Sequence, residues 1–246
     1  MTDLPSAILR VTGADRVDFL QGLVTNDVGK LAQGMVYAAL LTPQGKWIAD
    51  FFLVPDTEAI LIDVAEPLAD GLLARLSMYK LRANVTITRT DQSVTRGLSM
   101  PPPDGAHIDP RHPDLGWRAY DGQPGEEHDW TARRVALGVP QAITDLTPDS
   151  FILEMGFERL NGVDFRKGCY VGQEVTARMK HKTSLRKGLA RVMVEGDAPS
   201  GTAILQGDRA AGTLLSRAGS MALAYLRFDR TTGGDLHAGG SGITLL

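Results

Sequence analysis

The chain has 246 residues, 43% hydrophobic and 22% charged, which is the make-up of an ordinary globular protein with room for one large domain or two to three small ones. A total of 26 Lys and Arg against 29 Asp and Glu leaves a net charge of -3, which excludes a protein-wide basic field for nucleic acid or membrane. The single cysteine, Cys169, excludes an intramolecular disulfide and any zinc or iron–sulfur site built from this chain's thiolates alone.

The opening residues, MTDLPSAILRVTGADRVD, carry acids early and no apolar run of signal-peptide length. No stretch approaches the roughly 20 apolar residues of a membrane span. A reducing, cytoplasmic setting is the expectation.

Residues 13–22 (GADRVDFLQG) predict a short helix, with Val17, Leu20 and Leu23 spaced three apart and Gly22 as its stop. Residues 34–41 and 46–54 predict two strands around the turn Thr42-Pro43-Gln44-Gly45. A strand at 59–64 leads into a helix at 66–80, where Pro67 suits the first turn and Leu68, Leu72, Leu73, Leu76 and Tyr79 keep helical spacing. Strands at 84–90 and 93–99 follow. Strands followed by helices, without regular βαβ alternation, point to an antiparallel α+β layer.

Residues 101–116, dense in Pro, Asp and Gly, predict a surface loop between lobes, and 126–137 predict a helix ending at Gly138. Residues 140–168 are expected to be mostly irregular. After Lys187 the pattern changes to short alternating runs at 188–195, 201–206, 209–216, 220–228 and 241–246, which suggests a small antiparallel barrel. The Gly-rich tail at 233–242 is expected to be a turn. The division is 1–185 for the α+β region and 186–246 for the barrel.

The chemistry concentrates in DFRKGCYVGQEVTARMKHKTSLRK, residues 164–187. From Asp164 to Arg191 there are eight basic residues (Arg166, Lys167, Arg178, Lys180, Lys182, Arg186, Lys187, Arg191) against two acids, Asp164 and Glu174. Gly168 and Gly172 allow tight turns. From Gln173 the residues can form a helix, so Cys169 stands just ahead of a helix N-terminus, where the dipole, Arg166 and Lys167 favour a thiolate. A lone cysteine is also often an inert buried side chain, and spacing alone does not choose between the two readings.

Lys167-Gly168-Cys169-Tyr170-Val171-Gly172-Gln173-Glu174, followed by Arg178, resembles the K-G-C-[FY]-x-G-Q-E-x-x-x-R signature of the YgfZ family, folate-binding-type proteins related to the glycine cleavage aminomethyltransferase. Gly13-Ala14-Asp15, Phe19-Leu20-Gln21-Gly22, Thr25-Asn26-Asp27-Val28, Thr42-Pro43-Gln44-Gly45-Lys46 with Asp50, and Tyr79-Lys80-Leu81-Arg82 are similar to further landmarks of that family. The resemblance implies an α+β fold of two antiparallel lobes plus a small C-terminal β-barrel around a central hole. It also implies a role in making or maintaining iron–sulfur clusters in client enzymes, with client or assembly proteins as partners and tetrahydrofolate as a ligand. Cys169 would be the working atom and a transient metal ligand, with no stably bound metal. Lys167, Gly168, Tyr170, Gly172, Gln173, Glu174 and Arg178 form the signature loop.

Two positions depart from the enzymatic relatives. Ala49 stands where an aspartate serving folate is expected, with Asp50 beside it on the other strand face. Ala136 stands where a pterin-binding glutamate is expected, and it cannot pair a pterin's polar edge. Both argue against aminomethyl transfer and against tight folate binding. The alternatives are a folate-dependent one-carbon transferase, or a module whose basic 178–191 stretch contacts RNA or an acidic partner. The absence of interleaved aromatics there speaks against RNA. A monomer without membrane or nucleic-acid partners is expected. Glu154 precedes the signature closely enough to reach its loop.

Overall fold

In chain order the first elements are β1 (Ser6–Thr12), α1 (Arg16–Gln21), β2 (Val36–Leu41), β3 (Trp47–Pro55), β4 (Ile60–Ala65), α2 (Ala69–Lys80), β5 (Thr86–Thr90), β6 (Thr95–Gly97), β7 (His107–Ile108), β8 (Trp117–Ala119), α3 (Trp130–Ala136) and α4 (Gln173–Lys182). The remaining strands are β9 (Lys187–Glu195), β10 (Ala203–Gln206), β11 (Arg209–Ala218), β12 (Met221–Arg227), β13 (Leu236–Ala238) and β14 (Ser241–Leu245). This is a computed structural model, and it describes residues 4–182, 185–232 and 234–246. Thr183 and Ser184 of the basic stretch and Gly233 of the Gly-rich tail lie outside the described residues, as does the side chain of Lys182. The chain divides into two compact units, Leu4–His128 with Glu158–Ala177, and Asp129–Phe157 with Arg178–Leu246.

The first unit is built on an antiparallel five-stranded sheet in the order β2-β3-β4-β1-β5. Alternation sends Val36, Ala38 and Leu40 of β2, Ala49, Phe51 and Leu53 of β3, and Ile60, Ile62 and Val64 of β4 into one apolar core. Leu72 and Leu76 of α2 and Leu20 of α1 close that core. Such a sheet can bury one face under helices and use the other for something else. Here the opposite face carries Tyr37, Phe52 and Asp63, to which the three-stranded sheet β6-β8-β7 adds Arg118.

The second unit holds a closed six-stranded barrel, β10-β11-β12-β9-β14-β13, filled by Val192, Val194, Ile204, Leu214, Leu226 and Ile243. Closure leaves no free sheet edge. Helix α3 lies against β11 and β12. Arg134 of α3 reaches Asp145 at 2.9 Å and Ser216 at 2.7 Å, all three buried, so both terminal guanidinium nitrogens are hydrogen-bonded while Arg134 Nε is not.

The α+β class and the barrel match expectation, and several boundaries do not. Strand β1 has no counterpart among the expected elements, yet it lies between β4 and β5. The tail at 233–242 contains β13, and a turn follows it at Gly239-Gly240. Helix α3 begins at Trp130 rather than near 126, because Asp129 caps it by accepting from Ala132 N at 2.8 Å. Glu126 instead turns back to the amides of Leu98 and Ser99. The segment 101–116 is more than a surface loop, since Asp109 within it is buried and Arg111 pairs with it. Val17 is exposed, while Leu20 and Leu23 are buried.

Candidate functional site

The signature loop is short, and both of its ends are fixed. Gly168 has φ +97° and Gly172 has φ +84°, values in which L side chains are strained. A Cβ on Gly172 would lie 2.6 Å from Thr42 O, so only glycine lets the loop settle on the β2–β3 turn. From there α4 begins. Gln173 N donates to Tyr170 O at 3.2 Å and Thr176 Oγ1 donates to Gly172 O at 3.2 Å, which closes the first turn. Glu174 is exposed in that first turn, where the helix dipole favours a carboxylate, and exposed Arg178 follows one turn later.

The N-terminal end of the loop is held by the segment 21–30. Lys167 Nζ donates to Gln21 O, and to Val24 O at 2.8 Å. It also lies 5.0 Å from the centre of the buried Tyr170 ring, a cation–π contact. Gln21 Nε2 donates in return to Lys167 O at 3.1 Å and to Asp27 Oδ1 at 3.1 Å. Desolvation outweighs the pull of Asp27, Asp164 and Cys169, and lowers the Lys167 ammonium to about 8.

A second brace runs through Asp164. Its Oδ2 meets Lys30 Nζ at 2.7 Å, its Oδ1 accepts from Arg166 N at 2.7 Å, and its amide donates to Thr25 O at 3.0 Å. The Lys30 ammonium and the Arg166 amide hold its carboxyl below the usual value. Buried Asn26 bridges Tyr37 O at 2.8 Å and Asn161 O at 2.6 Å, and Thr25 Oγ1 donates to Gly162 O at 2.7 Å. Thus the landmarks around Gln21 and Thr25-Asn26-Asp27 serve as the seat of the Cys169 loop.

Cys169 itself is a free, exposed thiol, not a buried packing residue. Among the described residues no group of three or more His, Cys, Asp or Glu is placed to hold a metal.

The polar face of the sheet is a separate constellation, of which only Asp50 stood out in the sequence. Tyr37 donates to Asp50 Oδ2 at 2.8 Å and Trp47 Nε1 to Oδ1 at 3.1 Å. Arg111, paired with Asp109 at 2.7 Å, lies 4.7 Å from the centre of the Phe52 ring and 5.4 Å from that of Tyr37. Arg118 pairs with Asp63, to which Tyr120 also donates at 2.8 Å. Burial pushes the Asp50 carboxyl up. A further sequence signal was available in Asp63, an acid inside the apolar run AILIDV.

Ala49 and Asp50 do face opposite ways, but the side of Ala49 is the apolar core. Ala136 is half-buried, and its carbonyl accepts from Arg191 Nη1 at 2.7 Å. Glu154 accepts from Tyr225 OH at 2.5 Å in the barrel unit.

Residues 186–246 match the family model described as CAF17, C-terminal beta-barrel domain. An iron-sulfur cluster assembly factor IBA57 homolog, mitochondrial, from Mycosarcoma maydis is 35% identical over 73% of this chain and 53% of its own length. The chain thus spans about half of that relative. The iron-sulfur cluster assembly factor IBA57, mitochondrial, from Mus musculus is 30% identical, covering 94% of this chain and 78% of the relative. The Homo sapiens protein of that name is 28% identical over 92% of this chain and 76% of its own length. Among solved structures, the glycine cleavage system aminomethyltransferase T from Bartonella henselae superposes with a TM-score of 0.74 at 12% identity, over 98% of this chain and 82% of that one. That likeness concerns the fold alone. The IBA57 relatives are named as mitochondrial proteins, which overturns the cytoplasmic expectation. The chain belongs to the family of the iron–sulfur cluster assembly factor IBA57.

Proposed function

We propose that this chain is an accessory protein in the assembly or maintenance of iron–sulfur clusters, working through the Lys167–Arg178 segment with Cys169 as its reactive atom. The observation that carries the reading is an exposed thiol on a loop whose two flanks are both pinned. The Cys169 thiol can give its proton to solvent and form one S–Fe bond in place of a water that leaves the iron, while a client or assembly protein supplies the remaining ligands. No electron need be transferred in that exchange. The signature's likeness to the YgfZ family and the names of the curated relatives support the same role. The test is complementation in a strain deleted for this protein. Cys169→Ser is expected to leave iron–sulfur enzyme activity low, and full restoration would remove the thiol from the mechanism.

One observation favours a second reading in which tetrahydrofolate also binds. Asp50, with Tyr37 and Trp47, presents a carboxylate on the polar sheet face beside Arg111, Phe52 and Arg118. Calorimetric titration with tetrahydrofolate and its 5-formyl form, on the native chain and on Asp50→Asn, tests it. Micromolar binding lost in the variant supports folate as a ligand, and no heat at millimolar ligand removes it.

A further inference from the structure

The signature lysine would ordinarily be read as an electropositive group facing a ligand or activating the thiol. Its surroundings say otherwise. The ammonium has three protons to donate. Two go to the carbonyls of Gln21, the last residue of α1, and of Val24 just beyond it, and the charge also rests against the Tyr170 ring. Carbonyls at a helix end are where a cation is favoured.

Gln21 is equally committed. Its amide nitrogen donates to Lys167 O and Asp27 Oδ1, and its oxygen accepts from Val28 N at 2.8 Å. The two residues therefore hold each other's backbone carbonyls across 146 positions of sequence. On the far side of Cys169, Tyr170 is buried and Gly172 is packed on the β2–β3 turn. Between these anchors only Gly168 and Cys169 are exposed, and a Cβ at Gly168 would meet nothing within 4 Å.

We infer that Lys167 is a positioning residue that forms with Gln21 a reciprocal clamp, tying the thiol's loop to the end of α1 and leaving Gly168 and Cys169 as the presented segment. The clamp acts through backbone placement, not through contact with iron or client. Its functional meaning rests on the cluster-assembly reading, which is tested separately by Cys169→Ser.

Because Cys169 is the only cysteine, a nitroxide spin label on the full chain reports on this loop alone. Lys167→Met and Gln21→Met are each expected to narrow the spectrum, the double variant no further than either, and Lys167→Arg to keep the broad native line shape. Amide exchange of segments 164–172 and 19–28 is expected to rise together, by roughly tenfold, the effect of losing a charge-assisted bond on a local opening. Exchange in the barrel stays as it was. An unchanged line shape in both single variants, additive effects in the double, or exchange rising in only one segment would overturn the clamp. If Lys167→Met fails to fold, Gln21→Met and Lys167→Arg carry the same test. In the deletion strain, Lys167→Arg is expected to support client enzymes and Lys167→Met to fail. Equal activity of the two would also overturn the clamp, whereas full activity of Cys169→Ser would overturn the cluster-assembly reading and leave the spectra to decide the clamp.

Discussion

Gly45 and Gly172 lie against one another, with a Cβ on Gly172 placed 3.2 Å from Gly45 Cα, and a Cβ on Gly45 placed 3.4 Å from Gly172 O. Each has a positive φ, +74° and +84°. Two glycines from distant motifs are thus required by one contact, the seating of α4 on the β2–β3 turn. Gly172→Ala must adopt a strained backbone and also meets Thr42 O at 2.6 Å. The backbone alone costs about 1–3 kcal/mol. Urea unfolding is expected to show at least that loss, and a midpoint equal to the native one would contradict the packing.

Cys169→Ser should separate stability from function. The side chain is exposed, and substitutions at such positions usually change stability by less than about 0.5 kcal/mol. Thermal unfolding is expected to coincide with that of the native chain, while iron–sulfur client activity falls in the cell. A large drop in melting temperature would show that the thiol packs against something.

The pair Arg118–Asp63 is buried, with 2.9 Å and 2.8 Å contacts and Tyr120 as a further donor. Asp63 strengthens the hold of Arg118 on its proton, so the charge persists at every accessible pH. Arg118→Met leaves a buried carboxylate with one donor fewer and is expected to cost about 3–5 kcal/mol. Tyr120→Phe removes one neutral donor to a charge and is expected to cost about 1.5–3 kcal/mol. Denaturant titration that ranks these two the other way would contradict the assignment of Asp63 as the hub.

Acid stability offers an independent check away from the site. The amides of Leu98 and Ser99 and the ring of His128 hold the Glu126 carboxyl at about 2, against an ordinary 4.5. A depressed carboxyl stabilises the fold above its unfolded value and loses that contribution as pH falls through its folded value. Glu126→Gln should therefore be less stable than the native chain above pH 4.5, with the gap closing as pH drops toward about 2. Urea midpoints across that range measure it, and a gap that widened on acidification would reverse the sign.

Much of the fold was legible because its signals are local. Strands β2, β3, β11 and β12 show side-to-side alternation or dense apolar runs between turn residues, and Thr42-Pro43-Gln44-Gly45 names its own turn. Strand β1 escaped because Ala7, Ile8 and Leu9 are all buried, so a central strand covered on both faces shows no alternation. Strand β13 escaped because three residues beside Gly239 and Gly240 look like turn. At the site, the thiol and its two glycines were readable, since a glycine-flanked cysteine before a helix is a feature of neighbouring residues. Asp109, Arg111 and Tyr37 were not, because each has meaning only through a partner distant in sequence.

By itself, then, the sequence determined the class of elements, the barrel after Lys187 and the segment that carries the thiol, all properties written in residues a few positions apart. Only the tertiary structure decided that Lys167 faces the carbonyls of Gln21 and Val24, that Asp50 and not position 49 meets the polar face, and that Cys169 stands exposed between two anchors. Those facts depend on which distant residues meet when apolar surface is buried, and no local pattern encodes that meeting.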